Sequence, residues 1–138
     1  MQRLFPKLSC TLLALSAFLL AGTAWADVEP MVQQKSDGVT FITGGVGADE
    51  RAELKEQFKE YTCRIELANK MGEYLYKGEV SIRDSEDKDV LKTKTCGPWL
   101  LVNLAEGKYT IVVYHKGMTQ TLSVAIEKDK KSVFIARF

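Results

Sequence analysis

From Thr62 to the terminal Phe138 the chain repeats one pattern, short runs in which every second residue is apolar, separated by turn-forming residues. Cys63, Ile65 and Leu67 alternate with Arg64 and Glu66, and Val80 and Ile82 alternate with Ser81 and Arg83. Leu122, Val124 and Ile126 do the same with Ser123 and Ala125. Successive side chains of a strand point to opposite faces, so a period of two puts one face of each run in a core. Further β-favouring runs at 99–104, 109–115 and 133–138 complete the set, with turns at 70–73, 84–89, 105–108, 116–118 and 128–131. About seven or eight short strands, with a turn roughly every 8 to 12 residues, predict an all-β, antiparallel sandwich or a small barrel.

Upstream of residues 62–138 the pattern changes. Residues 48–61 carry a helix period: Asp49 and Glu50 stand in the first turn, where the helix dipole favours negative charge, and Leu54, Phe58 and Tyr61 form one narrow apolar stripe. An amphipathic helix lying on a surface is predicted. Residues 27–47 read as an N-terminal extension, with a polar lead-in over 27–36 and a β-favouring run at 39–43 suited to an edge strand.

Residues 1–26 have the three parts of a signal peptide. Arg3 and Lys7 give positive charge, Leu8 to Leu20 is apolar, and Ala24-Trp25-Ala26 supplies small residues for cleavage after Ala26. The apolar run falls short of the roughly 18 to 20 residues that cross a bilayer, which disfavours a retained anchor. Cys10 lies inside this run, not at its end, which argues against a lipid anchor. Export to the periplasm is the expectation, with no transmembrane segment in the mature chain. Without Arg3 and Lys7 the mature chain holds 17 basic against 18 acidic residues. A net charge of −1 argues against a nucleic-acid partner.

Three stretches then resemble known motifs. Leu75-Tyr76-Lys77-Gly78-Glu79-Val80-Ser81-Ile82 resembles the first signature strand of carboxypeptidase regulatory-like domains, with Lys77 where glycine is usual. Residues 84–89 resemble their acidic hairpin. Residues 97–109 resemble their glycine, aromatic, leucine, proline-proline, glycine, tyrosine signature, with Ala105 and Glu106 in place of the prolines. The chain as a whole is similar to small exported bacterial proteins of that domain type. The resemblance implies a transthyretin-like, immunoglobulin-related sandwich in which Gly107 turns the chain and Tyr109 enters the core at a corner. Such a domain usually accompanies a catalytic partner domain, for which this short chain leaves no room. The hydroxyisourate hydrolases of the transthyretin-like group end in tyrosine-arginine-glycine-serine and need several histidines; this chain ends Ile135-Ala136-Arg137-Phe138 and has one.

Few residues invite chemistry. Cys63 and Cys96 form an even pair in an oxidising compartment, so a disulfide between them and two unlinked thiols are both open. His115 has no nucleophile or metal-ligand signature beside it and reads as a rim residue. The glycines at 44, 45 and 47 precede a helix but lack the lysine and hydroxyl of a phosphate loop. The acidic run at 84–89 lacks the glycine and closing glutamate of a calcium loop. Neither a catalytic residue, a metal nor a cofactor is expected. The most informative feature is a surplus of apolar residues. If Trp99, Leu101, Tyr109, Ile111 and Val113 point inward, as the resemblance implies, then alternation sends Leu100, Val102, Val112 and Tyr114 outward, to be covered by Leu54, Phe58 and Tyr61 or by a partner. The leading functional expectation is a non-enzymatic periplasmic module that binds a protein or an envelope component. The alternatives are a small carrier of an apolar ligand and, more remotely, an outer-membrane barrel.

Overall fold

The computed structural model describes residues 28–138; the leader and its cleavage site after Ala26 lie outside them. A hairpin comes first, β1 (Gln34–Ser36) and β2 (Val39–Gly44), turned by Asp37 and Gly38. Both turn residues have positive φ, +50° and +82°, as a two-residue hairpin turn requires. Next come α1 (Ala48–Gln57) and a single 3-10 turn (Phe58–Glu60). Seven strands follow: β3 (Cys63–Ala68), β4 (Glu79–Asp84), β5 (Asp89–Lys94), β6 (Trp99–Val102), β7 (Gly107–His115), β8 (Met118–Ile126) and β9 (Ser132–Arg137).

The strands form two open sheets and no barrel among the described residues. One has the order β1-β2-β6-β3-β9 and the other β5-β4-β7-β8. Alternate residues of both enter one core, including Phe41, Ile65 and Leu100 from the first sheet and Val80, Ile82 and Ile111 from the second. Two apolar sheet faces closed on each other are the stable way to bury a period-two pattern. Among the described residues no helix is long and apolar enough to cross a membrane.

Three sequence expectations need correction. The pairing is not wholly antiparallel, because β9 runs parallel to β3 from Cys63↔Ser132 to Ala68↔Arg137. The cause is the segment 127–131, which carries the chain from β8 in one sheet across to the other. The 39–43 run is not an edge: β2 lies between β1 and β6, with Phe41 and Ile42 both buried. The lead-in supplies the true edge strand, β1. The predicted helix also ends early, at Gln57, with Phe58 in the 3-10 turn and Tyr61 extended beyond it.

Candidate functional site

Because β4 is antiparallel to both β5 and β7, the start of β4 and the ends of β5 and β7 meet at one end of the four-stranded sheet. The residues just outside these strands, Tyr76 to Gly78, Thr95 with Cys96, and the Lys116-Gly117 turn, therefore converge. With Val28 and Val46 from the N-terminal part of the chain they line a cleft of about 1110 Å³. Lys77, Lys94 and Lys116 stand on it against one carboxylate, Glu79.

The walls are tied together by hydrogen bonds. Thr95 accepts from the Gly78 amide through Oγ1 at 2.9 Å, and its own amide donates to the Gly78 carbonyl at 2.9 Å. His115 Nδ1 lies 2.6 Å from the Lys77 carbonyl oxygen. A carbonyl only accepts, so Nδ1 carries the proton and donates. The ring also tilts against Phe138, with centroids 5.6 Å apart. His115 is thus a buried wall residue of the cleft. The Cys96 amide donates to Thr43 Oγ1 at 3.2 Å, and its thiol donates to the Val28 carbonyl at 3.6 Å.

Cys63 and Cys96 are unlinked thiols in the structure. Cys63 pairs with Val102 at one end of β6, while Cys96 lies beyond Trp99 at the other. Three residue steps of roughly 3.3 Å already exceed the roughly 7 Å that a disulfide allows between Cα atoms. Burial raises the pKa of the Cys96 thiol and pushes that of Cys63 up to about 12, so both stay protonated and poorly nucleophilic. The shift at Cys63 has a measurable consequence. Between the ordinary value of 9.0 and about 12 the unfolded thiol loses its proton while the folded one keeps it. Stability therefore falls as pH rises through that window, by at most about 1.4 kcal/mol per pH unit from this group. Urea unfolding at about pH 8 and about pH 10.5 is expected to show a smaller loss for Cys63→Ala than for the wild type. Equal losses would remove Cys63 as the cause.

The apolar patch is divided by the structure in a way the sequence reading had reversed. Leu100 and Val102 are fully buried in the core between the sheets. Trp99 and Leu101 face outward and, with Ile42, are covered by Leu54, Tyr61 and the partly buried Phe58. The helix cover exists, but over the opposite set of β6 residues. Val112 and Tyr114 belong to the other sheet, away from this cover. Tyr114, 41% exposed, joins the cleft instead. Arg64 also departs from the solvent-facing role that alternation gave it. Its guanidinium lies 4.3 Å from the Trp99 ring centroid and 5.2 Å from that of Phe58, extending the cover by cation–π contact. Its Nε is 3.0 Å from Glu66 Oε1, although the N–H is not aimed at the carboxylate.

Comparison with protein-family models and with curated proteins finds no match. The remaining sequence candidates are local structure. Gly45 turns the chain ahead of α1 at φ +92°, and Gly47 precedes its first residue. In the acidic hairpin the Asp84 carboxylate accepts from the amides of Glu86 and Lys88, and Arg83 pairs with Asp87 and Asp89. No group of three or more metal-ligating side chains forms among the described residues. The cleft brings together residues the sequence did not connect, notably Tyr76, Lys94, Tyr114 and His115. The signal that would have found it is the antiparallel order of β5, β4 and β7, which brings three separate loops to one end.

Proposed function

We propose that this protein is an exported, non-catalytic binding module of the periplasm, and that the cleft at the end of the four-stranded sheet holds a component of the cell envelope. The observation that carries this reading is the cleft's composition: exposed apolar and aromatic groups, a cationic rim, and a thiol whose pKa burial raises further. Such a surface binds and orients; it offers no activated nucleophile. The charged, apolar and small-residue parts of 1–26 support export.

A carboxypeptidase regulatory-like, transthyretin-like sandwich is the fold family we propose. Its support is the Tyr109 hydroxyl, which donates to the Ala105 carbonyl at 2.7 Å, four residues upstream, in the manner of an immunoglobulin-type tyrosine corner. Gly107, at φ +154°, stands between them as the first residue of β7.

A photo-crosslinking residue placed at Lys116 in periplasm-expressed protein tests the functional reading. Wild-type side chains elsewhere are expected to give a specific adduct, and Tyr76→Ala with Tyr114→Ala to reduce it at least about tenfold, the scale of losing two aromatic contacts. Both tyrosines are exposed, so the melting midpoint should not move. An undiminished adduct would remove the cleft from recognition. A second reading, a carrier of a neutral apolar ligand, is favoured by Val28, Val46 and the two tyrosines in the same cleft; native mass spectrometry of the exported protein would reveal such cargo.

A further inference from the structure

We infer that the cleft takes a single-chain amphipathic anion, an alkyl body ending in one acidic head; this rests on the binding-module reading of the same cleft. Two independent features converge there. Eight large hydrophobic residues are markedly exposed among the described residues, and three of them, Val46, Tyr76 and Tyr114, line this cleft. Clustering of this kind marks a contact surface, whereas scattered exposure does not. The second feature is charge. Lys77, Lys94 and Lys116 border the same apolar surface, and none makes an ion pair with another described residue. Among the described residues Glu79 is the only carboxylate lining the cleft, leaving an excess of two positive charges there in a chain that is otherwise close to neutral.

A neutral apolar ligand would cover these ammoniums without compensating them, and a small inorganic anion would leave the tyrosines and valines in water. An alkyl chain with an acidic head satisfies both, laying its body on Val46, Tyr76 and Tyr114 and its head within reach of the lysines. The lysine stems add apolar surface while their ammoniums stay solvated.

Calorimetric titration of the mature protein with dodecanoate, below its micelle-forming concentration, tests this. Saturable binding is expected, weakening roughly two- to fourfold for each methylene removed on going to decanoate and octanoate. Dodecanol is expected to bind at least about tenfold more weakly, and Lys94→Gln with Lys116→Gln to cost roughly two- to fivefold per charge with an unchanged melting midpoint. Raising the salt concentration should weaken the wild type more than this variant. Dodecanol binding as tightly as dodecanoate would overturn the anionic assignment in favour of a neutral ligand. Absence of dodecanoate binding would overturn the ligand class; if the crosslinked adduct still depended on Tyr76 and Tyr114, the binding-module reading would survive that failure.

Discussion

Gly97→Ala is expected to lower the thermal midpoint by roughly 10 °C, corresponding to about 3 kcal/mol in a domain of this size. Gly97 lies in the link from β5 to β6, where it crosses the end of β2. A Cβ built on it would run into the carbonyl oxygen and carbon of Gly44. The obstacle is backbone, so no side-chain rotation relieves it. Nor is the neighbourhood free to slide. Gly44 pairs with Trp99 as the last register pair of β2 and β6, the Cys96 amide is held by Thr43 Oγ1, and the Thr43 hydroxyl donates to the Trp99 carbonyl at 2.9 Å. Making room for one methyl group means breaking part of this junction, whose loss also disturbs the Cys96 wall of the cleft. Gly47→Ala is the control, since no atom lies within 4 Å of its added Cβ and its φ of −114° suits any residue. A Gly97→Ala midpoint matching that of Gly47→Ala would refute the close approach.

Leu54→Asp is expected to cost about 3 kcal/mol or more, and to shift Trp99 emission to longer wavelength. Leu54 is the only buried residue of α1, and it packs with Ile42, Tyr61, Trp99 and Leu101 outside the main core. The helix has no side-chain cap at Gly47, and beside Leu54 it is tied down by Arg51, which donates to the Gly45 carbonyl at 2.9 Å and lies over the Tyr74 ring. A carboxylate at position 54 would have to be buried unpaired or expelled, and expulsion strips the cover from Trp99. The two sheets share a separate core, so their strand content should persist while the outer layer opens. Unchanged melting together with unchanged emission would mean that the helix does not cover this face.

How much of this was legible beforehand depended on whether a feature is local. Period-two alternation located β3, β4 and β8, because side-chain direction along a strand is fixed by its own backbone, and runs of β-favouring residues located β6, β7 and β9. β5 escaped because its buried face carries Leu91 and Thr93, a mixed pair that weak alternation does not separate from a loop. β1 escaped because its residues are polar, although Asp37-Gly38 is a strong hairpin signal. Alternation also recognised two opposed sets on β6 without saying which faced the core. Both faces of β6 are buried, one by the second sheet and one by α1, so hydrophobicity could not break the tie.

The sequence by itself determined an all-β chain, an upstream helix carrying Leu54, and strands whose apolar faces had to meet. These follow from local periodicity and from the cost of leaving apolar surface in water. Tertiary structure alone decided the parallel placement of β9, the parity of Trp99 and Leu100, the separation of Cys63 from Cys96, and the meeting of Tyr76, Lys94, Tyr114 and His115 at one cleft. Each of these depends on which strands lie side by side, a relation between distant residues that no local spacing encodes.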